Sequence, residues 1–244
     1  MTYAATAIIL RRQDAHEWDR LYTVYTREYG KLLLVGKGTR RPRAKLASHL
    51  EPFGETEIEA ARGRQIDRVT FARAIRTNDV FASSHEHLAC ASFLCESVDV
   101  LTKQGHPDLA CYDLLREALL LLPTLPAGDR GIIPAFILRL MSILGYAPAL
   151  ASCIECRATL AQQTAVAVPH RGGVLCERCA PPAERVLLPP RDRTVIETLC
   201  RSLLPMPVSS AVAAFATDLL AAHLPYAMRT PLTGATGSAT VAMS

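Results

Sequence analysis

The sequence lacks the features of a membrane protein and of a secreted protein. Its 244 residues contain no apolar run of about 18 residues, the length that predicts a membrane span. The segment Met1–Arg12 has neither a charged region ahead of an apolar stretch nor a small-residue cleavage site, as a secretory leader would. We therefore expect a protein of the reducing cytoplasm that makes no contact with a membrane.

Motifs of common enzyme classes are also missing. There is no Gly-x-Ser-x-Gly nucleophile elbow. The segment Gly30–Lys37 resembles a phosphate-binding loop, but it has one residue too many between its glycines, and Gly38 stands where Ser or Thr would bind magnesium. The residues ahead of the cysteine pairs differ from those of a zinc deaminase. These absences favour a binding protein over an enzyme.

Two pairs of cysteines form the most specific motif that is present. Cys153 and Cys156 make one Cys-x-x-Cys pair, Cys176 and Cys179 make the other, and 19 residues lie between the pairs. This spacing predicts one structural Zn²⁺ ion, because four thiolate ligands leave no position for water or substrate. Disulfides would suit a secreted protein, and a thioredoxin-like redox pair would need a βαβ setting that is absent. The other cysteines are expected to be buried in apolar helices: Cys90, Cys95, Cys111 and Cys200.

Positive charge is concentrated in the N-terminal third of the chain. The segment Met1–Phe81 carries 15 Lys and Arg against 10 Asp and Glu, whereas the remainder carries 12 against 13. This asymmetry favours contact between the first segment and a polyanion, with the remainder acting as scaffold or meeting proteins. An ordinary solvated basic face is the alternative.

Five short strands are predicted in the first 80 residues, separated by glycines and prolines. They are expected at Thr6–Leu10, Leu21–Tyr25, Lys31–Val35, Phe53–Ala60 and Ile66–Ala74. Five short strands in a compact basic unit favour an OB-fold barrel over residues 1–80, the barrel type most used to bind oligonucleotides. An SH3-like barrel is the nearest alternative.

The remainder of the chain predicts helices over residues 81–232. Ser84 can cap the first helix, which ends at Gly105. The zinc module is expected as an insertion at about 150–182, and residues 233–244 as a disordered tail. The fold class is thus α+β, a five-stranded OB-fold barrel followed by a helical domain with an inserted four-cysteine zinc module. The other helices are expected at Asp108–Leu122, Ile132–Leu144, Thr194–Leu204 and Val208–Leu224.

A basic loop follows the third strand and is the strongest functional signal in the barrel. It places five cations on a segment with glycine and proline: Lys37, Arg40, Arg41, Arg43 and Lys45. Such a loop can hold guanidinium and ammonium groups at phosphate spacing and bring backbone N–H groups close to a polyanion. A solvated charged loop is the alternative. Further cations that extend the predicted DNA-binding surface are Arg11, Arg12, Arg27 and Lys31.

Four aromatic side chains near this loop are candidate platforms for stacking bases: Trp18, Tyr22, Tyr25 and Tyr29. Base stacking contributes about 1–3 kcal/mol per base and tolerates any sequence. Strand alternation places Tyr22 and Tyr25 on opposite faces, so at most one of them lines a groove. Each of the four is also a candidate for the core.

Taken together, these residues resemble the bacterial recombination mediator family RecO. The resemblance runs in order from about Ala7 to Cys179 and is weaker beyond. Its segments are Ala7–Arg11, Arg20–Leu21, Thr26–Lys31, Val35–Arg41, Leu50–Phe53, Phe136–Tyr146, Pro148–Leu150 and Gly172–Cys176, with Cys153, Cys156 and Cys179.

The resemblance implies a nucleoid-associated DNA repair protein without cofactor-driven chemistry. Members of the family bind single- and double-stranded DNA and anneal complementary strands. With RecR they help to load RecA onto DNA coated by the single-strand-binding protein SSB. In some relatives the helical domain receives the acidic, hydrophobic tail of SSB, for which an apolar groove edged by basic residues would be needed. Candidates for such partner contacts are Arg116, Arg130 and Arg139.

Two positions depart from the family pattern, and two other functions stay open. Arg157 stands where glycine commonly follows the first cysteine pair, and Gly36 stands where a residue such as alanine is usual. Because some relatives lack the cysteines, the metal is not expected to be the source of the family function. A sequence-specific transcription regulator would read a duplex with the zinc module, but Cys153–Cys179 has three Arg against two Glu and is only weakly basic. An RNA-binding OB-fold protein is the other alternative.

Overall fold

The N-terminal part of the protein is a closed five-stranded barrel. The computed structural model describes residues 1–15, 17–77, 79, 81, 84–182 and 186–224. The strands run in the order β1-β2-β3-β5-β4, and β1 also pairs with β4, so the sheet closes. Only β3 and β5 are parallel. This is the predicted OB-fold barrel, with β1 (Thr2–Asp14), β2 (Arg20–Thr26), β3 (Gly30–Gly36), β4 (Glu55–Ala61) and β5 (Asp67–Arg76).

The five predicted strands are all present, but β1 is longer than expected at both ends. The apolar run at Thr6–Leu10 marks only the part of the strand whose side chains are buried. Its first residues pair with β4 and its last residues with β2, through backbone hydrogen bonds that do not depend on side-chain polarity. Alternation along the strand places Ile9 in the barrel interior and Leu10 against the helices, and the pairing of β1 with β2 is irregular between Ile9 and Arg11.

Among the residues that the structure describes after the barrel there are five α-helices, each within a few residues of its predicted position. Ser84, Asp108 and Ser209 cap three of them, because their side chains accept hydrogen bonds from backbone N–H groups in the first turn. The fourth begins at Pro190, four residues before the predicted Thr194, since proline suits the first turn of a helix. The helices are α1 (His85–Leu101), α2 (Leu109–Leu121), α3 (Ile132–Ile143), α4 (Pro190–Arg201) and α5 (Ser210–His223).

The segment between α3 and α4 contains a small sheet that the sequence did not predict. Its strands are β6 (Ala165–Val168), β7 (Gly173–Leu175) and β8 (Leu187–Leu188), in the antiparallel order β7-β6-β8. Runs of two to four residues are too short for alternation to be recognised. The helical domain therefore carries a β-structured insertion, and the expected tail at 233–244 lies outside the described residues.

The barrel and the helices share an apolar contact, while the barrel keeps a core of its own. Inside the barrel, Ile9, Tyr22 and Leu34 belong to one buried cluster. On its outside, Ile8 and Tyr25 belong to a second cluster that continues through the helices and into the insertion. The central helix α3 is buried on nearly all sides, as expected for a helix that is apolar around its whole circumference.

A buried carboxylate joins the barrel to α2. Glu55 on β4 is about 7% exposed and accepts hydrogen bonds from the Tyr112 hydroxyl at 2.9 Å and the Arg116 Nε at 2.9 Å. Arg76 on β5 donates to the same carboxylate at 3.1 Å. Because donors on β5 and on α2 are directed at this one carboxylate, Glu55 helps to fix how the helical part sits against the barrel. None of the described helices is long and apolar enough to cross a membrane.

Candidate metal centre and candidate nucleic-acid interface

The four paired cysteines come together where two tight turns meet. The first turn holds Cys153 and Cys156, and the second holds Cys176, directly after β7, and Cys179. The Ile154 N–H donates to the Val174 carbonyl at 3.0 Å, which ties the first turn to β7. This bond brings the first pair close to the second, which follows β7.

The spacing of the sulfur atoms suits one tetrahedral metal ion. All four Sγ atoms lie within 4.8 Å of one another, and those of Cys156 and Cys176 are 3.7 Å apart. A regular tetrahedron with metal–sulfur bonds of about 2.3 Å has sulfurs about 3.8 Å apart. Burial by itself would raise the pKa of the Cys153 thiol, but backbone N–H groups of Cys156, Cys176 and Glu155 outweigh it and lower this pKa to about 6. It is the spacing of the four sulfur atoms that shows the cluster could hold a metal ion.

Two residues next to the ligands have backbone constraints. Gly173 lies so close to the preceding segment that a Cβ would stand 2.6 Å from the Ala149 carbonyl oxygen and 2.7 Å from a methyl group of Ile154. Arg157 has a φ of 63°, in the left-handed region, and its N–H donates to the Cys153 carbonyl at 2.9 Å. The turn after the first pair thus keeps a glycine-like conformation although arginine occupies it, at a cost of about 1–2 kcal/mol.

Replacing Arg157 by glycine is expected to stabilise the folded four-cysteine insertion. Glycine removes the strain of the left-handed conformation but adds freedom to the unfolded chain, so the net gain should be about 0.5–1 kcal/mol. The gain would appear as tighter metal binding, measured by competition between the protein and a chromophoric chelator. Arg157→Ala is the matched control, because it removes the same side chain and retains the Cβ. An equal gain in the alanine variant would show that strain is not the cause.

Arg193 on α4 is a structural residue that the sequence reasoning missed. It is about 5% exposed, and its guanidinium donates to the carbonyls of Leu150 at 2.9 Å and Gln163 at 2.7 Å, and to that of Leu160. These carbonyls belong to the segment that carries the first cysteine pair and leads into β6. Burial lowers the pKa of this guanidinium below its usual value. Arg193 therefore attaches the four-cysteine insertion to α4. This contact joins segments that are distant in the sequence, so no local motif predicts it.

Replacing Arg193 by methionine is expected to destabilise the protein by about 3 kcal/mol, because buried carbonyl groups lose a charged donor while the apolar stem is kept. Arg193→Lys should lose most of the same stability, since one ammonium cannot replace the planar fork. Denaturant unfolding measures both. The control is Arg191→Met, because the side chain of Arg191 is 84% exposed. If Arg193→Met unfolds at the same denaturant concentration as the control, the hydrogen bonds of Arg193 do not contribute to stability and the prediction is wrong.

At one end of the barrel, the loop between β1 and β2 meets the basic loop after β3. The Asp19 carboxylate accepts hydrogen bonds from the Lys37 ammonium at 2.7 Å and the Gly38 N–H at 2.8 Å. The Arg40 N–H donates to the Trp18 carbonyl at 3.0 Å. These bonds hold the two loops together and enclose an open cleft of about 400 Å³ lined by Glu17, Trp18, Asp19, Lys37, Gly38 and Arg41.

The predicted cations of the basic loop are exposed at this rim. Arg40 also lies 3.4 Å from an Asp14 carboxylate oxygen, and the Arg41 guanidinium stands 5.9 Å from the centre of the Trp18 ring. Arg43 and Lys45 on the same loop are likewise exposed. Arg27 is exposed too, but it lies in the turn between β2 and β3, at the other end of β2. The rim therefore offers several guanidinium groups on the basic loop, and part of their charge is balanced by acidic side chains.

Three other cations that were predicted to bind DNA are ion-paired with acidic side chains: Arg11, Arg12 and Lys31. Arg12 pairs with Glu51, and Arg11 lies 3.4 Å from Asp99 on α1. The side chain of Lys31 is 16% exposed and its ammonium lies 3.2 Å from the same Asp99 carboxylate. Arg11 and Lys31 thus take part in the contact between barrel and helices, which sequence patterns could not reveal.

Three of the four candidate stacking residues are packed within the protein. Tyr22 and Tyr25 are both fully buried, on opposite faces of β2 as alternation predicts. Tyr29 is half-buried and packs edge-on against Tyr3, with ring centres 5.0 Å apart. Trp18 remains 44% exposed, in the cleft beside the basic loop.

The three arginines predicted to meet a partner are also in different surroundings. Arg116 is ion-paired with Glu55 at the junction described above. Arg139 on α3 is half-buried and donates to the Cys200 carbonyl at 3.0 Å, at the end of α4. Arg130, which precedes α3, is exposed.

The strand order and the basic rim place the protein in the OB-fold class, joined here to a helical domain. Two consecutive stretches match family models, described as the N-terminal part of recombination protein O over residues 1–78 and its C-terminal part over residues 83–202. The chain belongs to the RecO family of DNA repair proteins.

Similar proteins carry the same family name. DNA repair protein RecO of Pelotomaculum thermopropionicum is 32% identical over 178 residues, which span 72% of this chain and 68% of the relative. That of Rubrobacter xylanophilus is 34% identical over 186 residues, spanning 74% of this chain and 73% of the relative. The RecO protein of Symbiobacterium thermophilum is 30% identical over 187 residues, or 76% and 74% of the two chains.

Proposed function

We propose that this protein binds single- and double-stranded DNA through the barrel rim and anneals complementary strands. One observation carries the proposal: exposed arginines and an exposed tryptophan lie side by side on loops at one end of an OB-fold barrel. Phosphate contacts by arginine and lysine carry no sequence information, which suits a protein that must accept any pair of complementary strands.

The acidic partners of the rim cations also support an annealing function. Lys37 is paired with Asp19, and Arg40 lies near Asp14. A phosphate that binds these cations must compete with the carboxylates, so the net gain per contact is smaller than for a bare cation. Annealing needs such moderate affinity, because a strand that is held too firmly cannot change its position against its complement.

We further propose that the four-cysteine cluster holds a structural Zn²⁺ ion. Four thiolate ligands at tetrahedral spacing leave no open position, so the ion would stabilise the insertion and take no part in chemistry. We also propose that the protein acts on DNA by binding alone, without catalysis. Metal analysis of the purified protein checks the proposal, with about one zinc per chain expected and iron as the result that would contradict it.

In the cell, we propose that the protein acts in the cytoplasm on the nucleoid as a recombination mediator. With RecR it would assist RecA loading on DNA coated by SSB. The helical domain would meet these partners, including the tail of SSB. Of the three arginines considered for such contacts, Arg116 and Arg130 are exposed, and Arg116 is already ion-paired with Glu55, so Arg130 is the better candidate.

A strand-annealing experiment tests the proposed function. Two complementary oligonucleotides, labelled with a donor and an acceptor dye, are mixed with the protein, first bare and then coated by SSB, with and without RecR. We expect faster annealing of bare strands of any sequence, and annealing of coated strands that RecR modulates. Protein that neither binds nor anneals bare strands contradicts the proposal. Binding confined to one duplex sequence would instead indicate a transcription regulator, and preference for RNA would indicate an RNA-binding protein.

A further inference from the structure

We propose that the cleft beside Trp18 receives one unpaired base of single-stranded DNA, which stacks on the indole ring. This inference rests on the proposed DNA binding and adds the residue that distinguishes a single strand from a duplex. The cleft opens to solvent at the barrel rim, and Trp18 forms one of its walls. A base in a duplex is already stacked and paired, whereas a base in a single strand can turn out to an aromatic platform.

The indole face is available because the side chain above it is only loosely placed. The Arg41 guanidinium stands 5.9 Å from the ring centre, near the limit of about 6 Å for an energetically significant cation–π contact. Arg41 is exposed, so it can move outward by a small amount when a base enters. The guanidinium would then cover the second face of the base, which arginine does through its planar, delocalised charge.

The position of Trp18 is set by hydrogen bonds and not by its own side chain. Its carbonyl accepts from the Arg40 N–H at 3.0 Å, and the neighbouring Asp19 accepts from Gly38 and Lys37 on the basic loop. Gly38 has a φ of 67°, which lets this loop turn back toward the tryptophan. The backbone that carries the platform is therefore held in place before DNA arrives, so its ordering costs no further entropy on binding.

The charges around the cleft indicate how a strand would lie. The cleft is lined by the carboxylates of Glu17 and Asp19 and by the cations Lys37 and Arg41, and Lys37 is already paired with Asp19, so the inside offers a phosphate group no net positive charge. The phosphates would instead follow Arg43 and Lys45, which are exposed further along the basic loop. A base is neutral and carries N–H donors on its edges, so it suits a cleft with carboxylate acceptors.

The described aromatic side chains of the barrel offer one other exposed ring, Phe71 on β5. It is 46% exposed, close to the 44% of Trp18, but the cleft beside the basic loop does not include it. Phe71 is thus a matched control for the loss of an exposed aromatic side chain. Tyr22 and Tyr25, by contrast, are buried and cannot stack on a base without unfolding.

The experiment uses the fact that Trp18 is the one tryptophan of the chain, so intrinsic tryptophan fluorescence reports on this position alone. The full-length protein is titrated with an oligothymidine, an abasic oligomer with the same number of phosphates, and a duplex of equal length. Affinities come separately from the anisotropy of dye-labelled oligomers. We expect the oligothymidine to quench Trp18 strongly, and the abasic oligomer to bind with little quenching.

Variants complete the test. Trp18→Ala should weaken oligothymidine binding by about 5- to 150-fold, the range that one stacked base supplies, and change duplex and abasic binding little. Trp18→Phe should recover much of the affinity, and Phe71→Ala should behave as the unmodified protein. Equal quenching by the abasic oligomer, or unchanged oligothymidine binding in Trp18→Ala, would overturn the inference while leaving DNA binding intact. If the unmodified protein binds none of the three oligomers, the proposed function itself fails.

Discussion

Replacing Cys153 by serine is expected to abolish metal binding and to unfold the insertion around residues 149–182. Cys153 is fully buried, so the variant loses a thiolate ligand from the interior of the cluster. Zinc binding contributes about 10–16 kcal/mol to the folding of small zinc-finger peptides, and a three-ligand remnant would retain only a part of such a value. Metal content and amide hydrogen exchange measure the two effects.

Loss of the metal should destabilise the helical domain but should not unfold the barrel. Leu150, Leu175 and Leu188 in the insertion belong to the same buried cluster as the helices, so loss of the metal should also lower the stability of the helical domain. The interior of the barrel is a separate cluster, and we expect its amides to stay protected and its DNA binding to persist.

The matched control is Cys90→Ser, a half-buried cysteine on α1 outside the cluster, which should keep the metal. A chelator added to the unmodified protein should reproduce the loss of protection seen in Cys153→Ser. The assignment would be wrong if Cys153→Ser kept its full metal content and an ordered insertion but lost DNA binding.

Replacing Arg40, Arg41 and Arg43 together by alanine is expected to have the second large effect, on DNA affinity. At about 0.5–1 kcal/mol for each exposed charge contact, the loss amounts to about 10- to 100-fold in Kd. The slope of log affinity against log salt for a single strand should fall by about 0.7 per phosphate contact removed, and so by up to about 2. A salt titration with a labelled oligonucleotide measures both quantities.

The control variant must remove the same amount of positive charge from a part of the protein outside the basic loop. Arg178, Arg191 and Arg201 are exposed on the insertion and on α4, and their combined replacement by alanine should leave the slope nearly unchanged. An unchanged slope in the basic-loop variant would remove this loop from the interface. A steep loss in the control variant would move the interface to the helical part.

Local sequence patterns predicted much of the fold. Alternation and short apolar runs located all five barrel strands, and cap residues such as Ser84 and Asp108 located the starts of helices. These features depend on neighbours a few residues apart, which is why they can be read without a structure. The small sheet of the insertion was missed, since its strands are too short to show a period.

Side-chain roles that depend on contacts between distant segments could not be predicted in the same way. Lys31 and Arg116 look like surface cations in the sequence, yet each is ion-paired where the barrel meets the helices. Arg193 has no local sequence feature that marks it, yet it is buried and donates hydrogen bonds to carbonyl groups of the segment that carries the first cysteine pair. In each case the residues nearby in the sequence do not show which distant segment the cation will contact.

The sequence by itself determined the family resemblance, the order of barrel and helices, and the four cysteines that could hold a metal, because each follows from residue types at short, regular spacing. Only the tertiary structure decided which of the many arginines, lysines and aromatic side chains stay accessible. Burial depends on which face of a strand or helix another element covers, and that choice left Trp18 exposed beside the basic loop while Tyr22 and Tyr25 were enclosed.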